Sequence, residues 1–147
     1  MSLSILIDTN LYVSFLLTPT SRRTPIIRTI ELVRRGGLQL VVPSEQFAEF
    51  ENQRRKPKLI SRIPELRWDE FTNLLRDVAT VLPKQTRPFP RVVRDEDDDY
   101  LVAIAIWEDV DVIVSGDKDL LALREYLDRP RIMSPADFVA EFGDPDR

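Results

Sequence analysis

The chain has 147 residues, 21 Lys and Arg against 25 Asp and Glu, a net charge of −4, and neither cysteine nor histidine. That length suits one domain around one core, and the missing residue types exclude disulfides, thiolate or imidazole metal sites, and catalysis by a Cys or His side chain. Chemistry must come from carboxylates, hydroxyls, Lys or Arg, or a bound metal, and an all-oxygen donor set suits hard cations, Mg²⁺ or Mn²⁺ first. The N-terminus lacks a basic stretch followed by an apolar one, and no apolar run approaches a membrane span, so we expect a soluble cytoplasmic protein with no membrane partner.

In chain order, residues 3–7 read as a short buried strand, and the stretch after Asp8 reads as a loop. Thr24-Pro25 followed by Ile26, Ile27, Ile30 and Val33 predicts a helix, with Thr24 as N-cap, Pro25 as first helical residue and Gly36-Gly37 as terminator. Leu38 to Val42 predicts a second strand stopped by Pro43, after which Ser44 can cap a helix to about Arg55. Trp68, Phe71, Leu74, Leu75, Val78 and Leu82 recur at helical spacing, with Asp69 and Glu70 in the expected first turn.

Lys56 to Pro64 and Pro83 to Arg94 are basic, Pro-interrupted and read as loops, the second as a crossover within a single domain spanning residues 1–147. Tyr100 to Trp107 is apolar on all sides; the need for a crossover before the next strand favours a buried helix. Val110 to Val114 predicts a strand, Asp119 to Leu127 a short helix, and Arg131 to Met133 an edge strand. A last helix opens at Ser134-Pro135 and ends near Gly143. Such alternation predicts an α/β fold with a mostly parallel sheet and helices on both faces.

Asp8 ends the first strand, Asp117 follows the run Val112-Ile113-Val114, and the block Asp95-Glu96-Asp97-Asp98-Asp99 precedes the buried helix. In an open α/β sheet the carboxyl ends of the strands line one crevice, so these acids would converge. Two unit charges about 4 Å apart repel by roughly 4 kcal/mol at an effective dielectric of 20, which a divalent cation relieves. Residues 1–94 carry 16 Lys and Arg against 9 Asp and Glu, and residues 95–147 carry 5 against 16. A basic surface beside an acidic pocket suits a polyanionic substrate. Taken singly, each feature has a plainer meaning: Asp8 as a helix cap, Glu49 as a solvated helix acid for which Glu45 or Glu51 could substitute, Ser115-Gly116-Asp117-Lys118-Asp119 as a polar turn.

Taken in order, Ile7-Asp8-Thr9-Asn10, an acidic helix about 40 residues on, Asp97-Asp98-Asp99-Tyr100-Leu101 with Ala103 and Ala105, and Val112-Ile113-Val114-Ser115-Gly116-Asp117-Lys118-Asp119-Leu120-Leu121 resemble the PIN domain. The likeness runs to Ile132-Met133-Ser134-Pro135 and Asp137-Phe138, and more narrowly is similar to VapC-type toxins of prokaryotic toxin-antitoxin systems. The resemblance implies a three-layer α/β/α fold and a Mg²⁺- or Mn²⁺-dependent ribonuclease. Its four catalytic, metal-binding acids fall on Asp8, Glu49, Asp99 and Asp117, with Asp98 as a one-residue alternative to Asp99. Ser115 stands where the family's Thr-x-Asp motif has Thr and keeps the hydroxyl. Ser115 and Asn10 are expected to orient the carboxylates, and Arg22, Arg23, Arg54, Arg55, Lys56 and Lys58 are candidates for phosphate contacts with RNA.

Family behaviour further implies a small antitoxin protein and a homodimer. Trp68, Phe71 and Leu75 would supply the dimer surface, unless they pack the core. Two other functions compete. A PIN-like scaffold would bind RNA or protein without cutting. A haloacid-dehalogenase-like phosphatase also begins with an Asp after the first strand, but needs a second Asp where Asn10 stands.

Overall fold

A computed structural model describes residues 2–19, 21–88 and 96–143, with residues 96–99 described by their backbone alone. Five strands, β1 (Leu3–Ile7), β2 (Leu38–Pro43), β3 (Ala79–Leu82), β4 (Val112–Val114) and β5 (Arg131–Met133), form one sheet in the order β3-β2-β1-β4-β5. Every pairing is parallel. The helices are α1 (Thr9–Leu17), α2 (Pro25–Arg34), α3 (Ser44–Arg54), α4 (Pro57–Ile60), α5 (Glu65–Val78), α6 (Glu96–Trp107), α7 (Lys118–Ala122) and α8 (Pro135–Phe142), with a 3-10 turn at Leu123–Glu125.

Side chains alternate across a strand, and the sheet thereby feeds two cores. Ile5, Ile7, Leu40, Val42, Val112 and Val114 face a layer that includes Tyr12, Ile30, Phe50, Trp68, Phe71 and Phe138. Leu6, Val41, Ile113 and Ile132 face Leu101, Val102, Ile104 and Ala105 of α6 and Leu120 of α7. The result is a three-layer α/β/α fold. The unbroken apolar run in α6 follows from its position, since Leu101 to Ala105 are all buried. No helix among the described residues is long and apolar enough to cross a membrane.

Local signals account for several boundaries. Thr24 Oγ1 accepts from Ile27 N at 3.5 Å with Pro25 in the first turn of α2, and Gly36 and Gly37, at φ of 83° and 87°, end it in a conformation that favours glycine. Ser134 Oγ accepts from Asp137 N at 3.1 Å, and α8 stops at Gly143 as expected.

Other expectations are corrected. The stretch after Asp8 is a helix, α1, capped by Asp8 itself. The helix drawn through Leu82 stops at Val78, and Ala79–Leu82 pairs with β2 as an edge strand. That helix starts at Glu65, so Asp69 and Glu70 lie beyond its first turn. A short helix, α4, interrupts the basic loop. Ser44 does not cap α3; its hydroxyl donates to Leu82 O at 2.6 Å, tying α3 to the end of β3. Trp68, Phe71 and Leu75 are 1%, 5% and 2% exposed, so they pack the core and offer no dimer surface. Phe71 joins Tyr12 and Phe50 in edge-on ring pairs with centroids 5.4 Å apart.

Candidate metal centre at the carboxyl edge

β1 and β4 are neighbours with Ile7 opposite Val114, so the residues that follow each strand emerge side by side. Asp8 N donates to Val114 O at 3.0 Å, extending the ladder by one bond. Beyond it the ladder gives way to side chains. Ser115 Oγ donates to Asp8 Oδ2 at 2.9 Å and accepts from Asp117 N at 3.0 Å. One fully buried hydroxyl therefore couples two acids that are 109 positions apart in sequence.

The plainer readings of these acids also hold. Asp8 Oδ1 accepts from Asn10 N at 3.3 Å as the N-cap of α1, and Asp117 Oδ1 accepts from Asp119 N at 2.8 Å as the N-cap of α7. Capping and a metal role are compatible, because a carboxylate has about four lone-pair sites. Asp8 is only 1% exposed, an unusual depth for an acid. Ser115 reaches Asp8 through its side chain. Asn10 does so through its backbone amide, while its side chain is exposed.

Glu49 lies half-buried on α3, which follows β2, the other neighbour of β1. The structure separates the three acids of this helix. Glu45 Oε2 accepts from Gln85 N at 3.0 Å and holds the segment after β3, while Glu51 is exposed beside Arg54. Glu49 stands between them, one turn after Gln46, and Gln46 reaches β1: its Nε2 donates to Ile7 O at 2.6 Å and to Thr9 Oγ1 at 3.2 Å. Sequence reading missed Gln46. Its only signal was the three-residue spacing from Glu49, which puts both on one helix face.

Asp98 and Asp99 belong by backbone to the first turn of α6, and their side chains lie outside the described residues. The last turns of α6 run directly into β4 at the amino edge of the sheet, through Val110 N to Ala105 O. Eight residues separate Asp99 from Trp107, so its backbone lies about 12 Å back along the axis, toward the carboxyl edge. Among the described residues no three acids are placed to hold a metal ion. The donor chemistry nevertheless fits a hard cation, since a buried carboxylate, a second acid coupled to it through Ser115 and a Glu on the helix that follows the adjoining strand supply oxygen only.

The basic candidates divide. Arg23 pairs with Glu31 at 3.0 Å, and Arg54 is held at 3.1 Å from Asp69 while Nη2 donates to Glu65 O at 3.3 Å, fastening α3 to α5. Arg22, Arg55, Lys56 and Lys58 are exposed. Arg54 sits five residues past Glu49, about 7.5 Å further along α3.

The family model for the PIN domain matches residues 4–119, spanning all three of the acids placed above and the backbone of the fourth. The chain belongs to the PIN domain family. This nuclease-type fold commonly works on RNA or other nucleic acid with divalent metal ions, and the assignment displaces the haloacid-dehalogenase-like alternative. The PIN domain chain is also similar to an uncharacterised protein of Methanocaldococcus jannaschii, 26% identical over 148 residues that cover 95% of this chain and 92% of the relative. No solved structure matches it.

Proposed function

We propose that this single PIN domain is a Mg²⁺- or Mn²⁺-dependent endoribonuclease that hydrolyses RNA phosphodiester bonds, and that it is the toxin of a cytoplasmic toxin-antitoxin pair. The observation that carries the catalytic part is the Ser115 hydroxyl bound at once to the Asp8 carboxylate and the Asp117 amide, at the adjoining carboxyl ends of two central strands. Asp8, Glu49, Asp99 and Asp117 are the residues that would hold the ion. When bound, it supplies Lewis acidity that makes a water nucleophilic at neutral pH and offsets charge at phosphorus, so no histidine is needed.

The remaining work falls to the chain's own groups. Ser115 and the Asn10 amide fix the Asp8 carboxylate, and the Asp119 amide fixes Asp117. Exposed Arg22, Arg55, Lys56 and Lys58 attract a phosphate backbone. A small antitoxin and a second copy of the chain are the partners of this reading. Ile60 and Leu66, 60% and 68% exposed, offer apolar surface for contact.

The experiment is cleavage of a mixed pool of structured and single-stranded RNA, with Mg²⁺ or Mn²⁺ and with chelator, for wild type, Asp8→Asn and Asp99→Asn. Cleavage that requires metal and disappears in both variants supports the nuclease. Equal cleavage by all three exposes a contaminant, and no cleavage by any favours the non-catalytic RNA- or protein-binding scaffold.

A further inference from the structure

We infer that Gln46 is a positioning residue that sets the distance between Asp8 and the helix carrying Glu49; this rests on the metal-dependent nuclease reading. Gln46 is fully buried on α3. Its Nε2 donates to the carbonyl of Ile7 and the hydroxyl of Thr9, the residues immediately before and after Asp8. A carbonyl can only accept, so the amide nitrogen must face Ile7.

Strand geometry explains why a side chain is needed there. Asp8 N points to β4, so Ile7 C=O points the other way, toward β2. The β1–β2 register ends at Ile5 opposite Leu40, and β2 finishes in Pro43, which has no N–H. The Ile7 carbonyl thus lies beyond the backbone ladder, and Gln46 supplies its donor. The same amide reaches Thr9, so two bonds from one side chain bracket the peptide unit of Asp8. Glu49 follows three residues later on the same helix face. Asp8 is tied to β4 on one side through Ser115 and to α3 on the other through Gln46.

Packing alone does not call for glutamine. Gln46 Oε1 is buried with no hydrogen-bond partner among the described residues, a cost that an apolar side chain of the same size would avoid only by leaving the Ile7 carbonyl without its donor. A polar group kept at such a cost suits a role in holding geometry.

The test replaces Gln46→Met, which keeps length and volume and removes both donors, and Thr9→Val, which removes one arm. Hydrogen exchange of the metal-free proteins and Mn²⁺ titration by electron paramagnetic resonance are the readouts. In Gln46→Met the amides of Asp8, Asn10 and Leu11 are expected to exchange severalfold faster while Ile5 and Leu6 are unchanged, and Mn²⁺ affinity is expected to fall roughly 10- to 100-fold. Thr9→Val should move both readouts in the same direction by less, and carries the test if Gln46→Met does not fold. Wild-type behaviour in the variants, or faster exchange spread evenly over β1 and β4, overturns the inference. Wild type that binds no Mn²⁺ and cuts no RNA overturns the nuclease reading, and this assignment with it, from the wild-type arm alone.

Discussion

Replacing Ser115 by alanine cuts one buried and one partly buried hydrogen bond with the loss of one oxygen atom. The 2.9 Å bond to Asp8 Oδ2 ends on a carboxylate at 1% exposure, and the 3.0 Å bond from Asp117 N ends on the serine itself. A bond to a charged group contributes about 1.5–3 kcal/mol and a neutral one about 0.5–1.5. Little water can reach Asp8 to compensate, so the metal-free protein should lose roughly 2–4 kcal/mol. For a chain of this size that lowers Tm by roughly 4–16 °C. Urea denaturation monitored by circular dichroism measures it, with Ser115→Thr as control. Threonine keeps the hydroxyl, and should stay within about 1 kcal/mol of wild type unless its methyl clashes. Ser115→Ala within about 0.5 kcal/mol of wild type would refute the claim that this hydroxyl secures both acids.

Three further outcomes are expected. Mn²⁺ at 100 times its dissociation constant should stabilise wild type by about 2.7 kcal/mol, and a thermal scan of Asp8→Asn should lose that shift; an equal shift in both would remove Asp8 from the metal site. Tyr12 is fully buried, burial pushes its hydroxyl above the ordinary phenol range, and that hydroxyl has no partner among the described residues. Tyr12→Phe should therefore gain up to about 1–2 kcal/mol in urea denaturation, and a clear loss would show that the hydroxyl is bonded. At the opposite edge of the sheet, Asp111 accepts from Ser4 N at 2.8 Å and Ser4 Oγ at 3.1 Å beside Arg129; these bonds and that charge hold its carboxyl below the ordinary value of 3.8. A depressed carboxylate stabilises above its unfolded pKa and loses that contribution as pH falls through its folded one. Asp111→Asn should cost about 1–2 kcal/mol at pH 7, with the gap to wild type closing below pH 3.8; a pH-independent gap would sink this account.

Much of the architecture was legible because local chemistry and tertiary packing agree. Thr24-Pro25 and Gly36-Gly37 bracket α2, Ser134 caps α8, and strands alternating with helices give the parallel sheet. Two elements were hidden for physical reasons. The stretch Thr9–Leu17 mixes aromatic and β-branched residues on nearly every face, so its helical period is blurred, and the cap is a residue equally suited to a turn. Ala79–Leu82 continues the spacing of α5, and only the open edge of β2 draws it into the sheet.

The sequence alone determined the inventory of the site: oxygen donors without histidine or cysteine, acids at strand ends, and the order of motifs that matches the PIN domain. It could not say that Glu45 is engaged by Gln85 and Glu51 by Arg54, nor that Trp68, Phe71 and Leu75 face inward. Only the tertiary structure decided that Ser115 couples Asp8 to Asp117 and that Gln46 braces Asp8 from the other side. Local propensity acts within a few residues along the chain. These couplings join segments 37 to 107 residues apart, and they exist only once parallel pairing sets the strand ends side by side.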